Sequence, residues 1–157
     1  MTDATRAVLV AFAALAVVLV RLSVIATRED DSTSRLVAEL RLAQFAALLL
    51  VLIAGVYIGF ALAQGSTTGS GFDVALAVGF LALAAIATIQ PPGTALTLLA
   101  AAFAGHAVVD LMHSAAVLPS VALPNWYTSA CAVYDVGIAG ICYFPIVHRS
   151  CRSTDQK

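Results

Sequence analysis

Apolar residues run through this chain in five blocks, and polar or helix-breaking residues gather between them. A bilayer's hydrocarbon core is about 30 Å thick and takes about 20 residues of helix to cross. The blocks at 4–27, 42–63, 72–90, 94–114 and 126–147 all meet that length. The segments between them read as breaks. Residues 28–41 carry Arg28, Glu29, Asp30, Asp31, Arg35, Glu39 and Arg41, a charged linker in which Asp31 or Ser32 can cap the next helix. Residues 64–71 are Gly, Ser and Thr with one Gln, a flexible loop. Gln90, Pro91, Pro92 and Gly93 form a turn through which no helix continues unbroken. Pro119 and Pro124 mark the last short loop, and 148–157 form a polar tail. The pattern predicts an all-α fold: one integral membrane domain over 1–157, a bundle of five transmembrane helices.

Composition agrees. The chain is 61% hydrophobic and 11% charged, whereas soluble domains carry about 25% charged residues. There is too little polar surface here to cover a globule in water. The net charge of −1 leaves no basic stripe to neutralise phosphates, so nucleic acid is not an expected partner. Cys131, Cys142 and Cys151 are odd in number and lack metal-knuckle or disulfide spacing. Heavy Ala, Val and Leu usage suggests a GC-rich bacterial source. The first block resembles a signal peptide in length, but Arg21 interrupts its far end and the positive charge follows the block. A retained helix is therefore expected, with Arg21 reaching toward the interface.

Charge also orients the bundle. With five crossings, Arg21, Arg28, Arg35, Arg41, Arg149, Arg152 and Lys157 fall on one side and only Arg6 on the other. By the positive-inside rule the N-terminus lies outside and the C-terminus in the cytoplasm, in the cytoplasmic (inner) membrane. Gly55 and Gly59 give a G-x-x-x-G spacing that lets a second helix approach closely, a candidate face for a homo-oligomer. Gln44 and Tyr57 are the inward polar candidates of the second helix, and Trp126 with Tyr127 suits an interfacial aromatic belt. Asp73 reads as a helix-start residue at the outer surface.

The candidate chemistry lies where ionisable groups enter the apolar blocks. His106, Asp110 and His113 stand at i, i+4 and i+7, within a sector of about 60° on one helix face. Each costs about 2.5–3.5 kcal/mol near a bilayer's centre on insertion scales, so each is a functional candidate. On the fifth helix Asp135 lies nine residues beyond Trp126, about 14 Å deeper at helical rise. It shares a face with Thr128, Cys131, Ile138 and Cys142. If the two faces meet, His106, Asp110, His113 and Asp135 form one pocket, with Tyr57 and Tyr134 at its edge. Two imidazoles and two carboxylates are a plausible first shell for Zn²⁺, Fe²⁺ or Mn²⁺. Hydrogen bonding among buried groups is the bland alternative. Cys131 is a possible further ligand or simply a small hydrophobe. Haem is disfavoured, because two histidines two turns apart on one helix cannot bind opposite faces of one iron. No nucleotide fingerprint or nucleophile motif is present.

His106, Asp110 and His113, followed by Pro124, Asn125, Trp126, Tyr127 and then Cys131, Tyr134 and Asp135, resemble a group of small uncharacterised bacterial integral membrane proteins. Those carry an H-x-x-W-D-x-x-H signature and a later aromatic/Cys/Asp helix. The resemblance covers about a quarter of the chain, and Val109 stands where the signature has Trp. It implies a shared site arrangement and no particular reaction.

These readings predict a small membrane enzyme acting on a lipid-like or isoprenoid-like substrate. His106, Asp110, His113 and Asp135 hold a divalent metal, or act as general acid and base with Tyr134 as a proton donor. The rival from another class is a transport or accessory subunit using the histidines for protons. A third reading is a structural partner protein.

Overall fold

In a computed structural model, residues 3–63, 70–118 and 125–154 are described, so the loop at 64–69, both loop prolines and the last tail residues lie outside the described chain. The described residues form five helices: α1 (Asp3–Arg28), α2 (Ser32–Ala63), α3 (Ser70–Thr88), α4 (Pro92–Ser114) and α5 (Asn125–Thr154). Each contains a stretch long and apolar enough to cross a membrane. The charged linker contracts to 29–31, because residues 32–41 continue α2 as its opening turns. Membrane-block reading stops where hydropathy falls, but the helix does not. Asp31 caps it, its Oδ2 accepting the Ser34 N–H at 2.7 Å. That hydrogen bond holds the Asp31 carboxyl below its usual range. Pro92 opens α4 at a position where its missing N–H has no helical partner to lose.

Helices α2, α4 and α5 pack on one another; α1 lies against α2 and α5, and α3 against α2 and α4. Leu42, Leu50, Ile53, Leu96, Leu99 and Phe103 are fully buried between them. Alanines such as Ala43, Ala46, Ala54 and Ala95 are buried too, and small residues let helix axes approach where lipid offers no hydrophobic drive to association. The outside is apolar: Val17, Leu48, Leu62, Val108, Val133 and Val136 are all exposed, as lipid contact requires.

Two long-range contacts tie α1 to α5. Pro145 lies inside α5, and a helical proline leaves the carbonyl four residues earlier without its N–H donor. That carbonyl belongs to Ile141, and the Ser23 hydroxyl donates to it at 3.0 Å. One turn cannot be left open in hydrocarbon, and α1 closes it. Nearer the other end, the Tyr134 hydroxyl donates to the Phe12 carbonyl at 3.0 Å.

Two expectations need correcting here. Gln44 is exposed, because it points away from the Leu42, Ala43, Ala46 and Ala47 face that α2 buries. Tyr127 is buried while Trp126 stays half exposed, so only Trp126 suits an aromatic belt. Gly55 and Gly59 are exposed, and no described helix of this chain seats on them, so their face stays open.

Candidate metal centre

Helix α4 carries its three ionisable residues inward, as the helical period requires. His106, Asp110 and His113 are all at most 2% exposed. The face drawn for α5 is also the buried one: Thr128, Cys131, Asp135, Ile138 and Cys142 are at most 6% exposed. The two faces meet, though not in the predicted combination.

His106 Nδ1 lies 2.7 Å from Asp135 Oδ2 and 3.3 Å from Asp110 Oδ2. The Cys131 thiol points at Asp135 Oδ2 from 3.8 Å. One ligand atom from each of His106, Asp110, Cys131 and Asp135 can be chosen so that all lie within 4.8 Å of one another. Two carboxylates thus converge on one imidazole nitrogen in an apolar interior. That arrangement requires positive charge between them, from a proton or a metal ion. A tetrahedral ion with bonds of 2.0–2.3 Å sets its ligand atoms about 3.3–3.8 Å apart. Two of the three separations above already match, the 2.7 Å contact must open by roughly half an ångström, and a spread of up to 4.8 Å must close by about 1 Å. In chemistry the donor set fits such an ion.

Around this group stand three aromatic rings. Tyr57 of α2 is buried and its hydroxyl donates to Asp110 Oδ1. Its ring meets His106 edge-on at 5.1 Å, and Phe80 of α3 covers His106 at 4.7 Å. Tyr127, one helical turn before Cys131, packs on Tyr57 with centroids 6.4 Å apart. A cavity of about 80 Å³ opens between α1 and α5, lined by Leu9, Phe12, Trp126, Tyr127, Cys131 and Tyr134. Cys131 is therefore both a member of the cluster and part of this cavity wall.

Two predicted residues stand apart. His113 does not join the cluster: its Nε2 lies 2.9 Å from Oδ1 of Asp73 on α3. Asp73 in turn is 1% exposed, so it is a buried partner and not a surface cap. The Tyr134 hydroxyl is directed at α1 and not at the His/Asp group. The sequence places Tyr127 in the aromatic belt and not at the site, although it falls at i, i+4 and i+8 with Cys131 and Asp135. Asp73 had a signal too, as a lone carboxylate within an apolar block.

At the opposite end of the bundle Arg149 of α5 donates to the buried Glu39 of α2. Between this pair and the cluster lies the apolar layer of Leu42, Leu50, Leu96 and Leu99. The chain matches no protein-family model, no curated protein and no solved structure.

Proposed function

We propose that this protein is a small multi-pass membrane enzyme that holds one divalent metal ion between His106, Asp110, Cys131 and Asp135. The observation that carries the reading is the convergence of four buried ligand atoms from two helices within 4.8 Å. Mixed nitrogen, sulfur and carboxylate donors favour Zn²⁺ over Mn²⁺, with Fe²⁺ intermediate, because a thiolate is a soft ligand. A bound ion supplies Lewis acidity or a water of lowered pKa. The protein's own part is to orient the ligands: Tyr57 holds Asp110, and the 2.7 Å contact aligns His106 with Asp135. That same contact supports metal-free general acid–base chemistry as the second reading.

The substrate class we assign is a lipid-like or isoprenoid-like molecule. Its support is the apolar cavity at Cys131, which opens where the exposed side chains of α1 and α5 are themselves apolar. Charge distribution supports an outside N-terminus in the cytoplasmic membrane, which puts the cluster in the outer half of the bilayer. A conducting subunit is less well supported. The apolar layer separates the cluster from Glu39 and Arg149, and Thr88 and Thr97 bond to their own helices. The exposed Gly55/Gly59 face is left available to a second copy.

Metal content by mass spectrometry of detergent-purified protein tests the centre, with wild type beside His106→Ala, Asp135→Ala and Cys131→Ser. We expect near-stoichiometric metal in wild type and its loss in the first two variants. Substituting Co²⁺ should give a thiolate charge-transfer band that Cys131→Ser abolishes. Wild-type protein that stays metal-free after reconstitution with Zn²⁺, Fe²⁺ and Mn²⁺ sinks the metal reading.

A further inference from the structure

Outside the four-residue cluster the molecule buries a second ionisable pair, Asp73 of α3 with His113 of α4. We infer that this pair is a separate acid–base station, in which Asp73 fixes the His113 ring so that Nδ1 accepts the O–H of a bound water or ligand hydroxyl.

A carboxylate only accepts, so with Asp73 in that form the 2.9 Å contact between its Oδ1 and His113 Nε2 assigns an imidazole proton to Nε2. With a single ring proton, Nδ1 is then a bare lone pair. That atom is buried with no hydrogen-bond partner among the described residues, and Asp73 Oδ2 is in the same state. His113 is 2% exposed and Asp73 1%, so neither lone pair is hydrated from a surface. Buried acceptors in native proteins are nearly always paired, with protein or with ordered water. The missing partner of Nδ1 must bring a proton, and an O–H is the simplest group that does.

The arrangement is that of a carboxylate-oriented base. A carboxylate on one ring nitrogen sets the tautomer and leaves the other nitrogen to take a proton. Here the proton would pass from the bound O–H to Nδ1, leaving the oxygen anionic and the imidazolium balanced by the Asp73 carboxylate. Tyr57 makes this station a neighbour of the cluster: its ring lies 6.2 Å from His113 and 5.1 Å from His106. Asp73 is the positioning residue and His113 the proton acceptor. The inference does not depend on a metal in the cluster.

Nitrogen NMR of ¹⁵N-histidine-labelled full-length protein in nanodiscs tests it, with His106→Gln and His148→Gln used only to assign signals. We expect His113 as a neutral ring protonated on Nε2, with magnetisation passing to it from water. Asp73→Asn should shift His113 to the other tautomer or a mixture while the His106 signals hold. Adding Zn²⁺ should move His106 and leave the His113 tautomer unchanged. A proton on Nδ1 of the wild-type ring overturns the inference, as does a bare Nδ1 with no water or hydroxyl proton near it. The wild-type spectrum decides even if Asp73→Asn does not fold.

Discussion

Replacing Tyr57 by Phe removes one oxygen and little else. The ring keeps its place at 5.1 Å from His106 and 6.4 Å from Tyr127, and loss of a hydroxyl leaves no side-chain cavity. What disappears is the Tyr57 hydrogen bond to Asp110 Oδ1, in a side chain that is 0% exposed. A hydrogen bond contributes about 0.5–1.5 kcal/mol net, and about 1.5–3 kcal/mol where its partner is charged. Part of that is lost in the metal-free protein as well, so it appears as lower stability and not as weaker binding. The part that bears on the ion is orientation: without Tyr57, Asp110 is free to turn its carboxylate away from His106. Losing a hydrogen bond that orients a metal-binding side chain weakens metal binding about 10–100-fold, or about 1.4–2.7 kcal/mol. Zn²⁺ titration against a competing chromophoric chelator in detergent reads the affinity, and circular dichroism checks that the helices persist. Tyr134→Phe is the matched control, since its hydroxyl serves Phe12 on α1; it should stay within about twofold. Unchanged affinity in Tyr57→Phe, with helicity intact, would show that Asp110 is not a ligand held by this hydroxyl.

Other predictions concern the scaffold. The Arg149–Glu39 pair is asymmetric, with side chains 47% and 4% exposed. Arg149→Ala strands a buried carboxylate and should cost about 3–5 kcal/mol; Glu39→Gln frees a guanidinium that can hydrate and should cost about 1 kcal/mol or less. Unfolding in mixed detergent–SDS micelles measures both, and equal costs would refute the asymmetry. Ser23→Ala leaves the Ile141 carbonyl open above Pro145 and should cost about 0.6–2 kcal/mol in the same assay, with Ser23→Thr largely restoring it. The Ser34 N–H holds the carboxyl of Asp31 below the ordinary carboxylate range. A lowered folded value means that the cap stabilises α2 above that range and is lost as acid protonates it. Protection of the Ser34 amide against hydrogen exchange should fall over that range in wild type and be low throughout in Asp31→Ala.

The five helices were legible because hydropathy over 20 residues is a strong signal and the breaks are chemically explicit. Where α2 begins was not, since residues 32–41 are polar but continue the helix. Within the site, helical period correctly placed His106, Asp110, His113, Cys131 and Asp135 on inward faces. Period says which way a residue points and nothing about which neighbour it meets. That depends on the rotation and depth of the other helices, so Cys131 entered the cluster and His113 left it for Asp73. The same limit separates the tyrosines. Tyr134 is one residue from Asp135 in sequence but about 100° away around the helix, whereas Tyr127 shares the buried face.

Helix α4 gives each of its polar residues to a different neighbour: His113 to Asp73 of α3, Asp110 to Tyr57 of α2, and His106 to Asp135 of α5. In a bundle of Ala and Leu faces, many rotations pack almost equally well, and three such contacts select one of them. Selection alone does not explain the residues used. Asp73 Oδ2, Asp110 Oδ2, His113 Nδ1, Tyr127 Oη and Asp135 Oδ1 are buried with no geometric hydrogen-bond partner among the described residues. Asp110 Oδ2 is among them although His106 Nδ1 is 3.3 Å away, because that nitrogen is directed at Asp135. A buried polar atom left unmet costs about 1–3 kcal/mol, so several in one small bundle are more than helix locking needs. A cation among the cluster's carboxylates and an O–H at His113 would meet the most deeply buried of them.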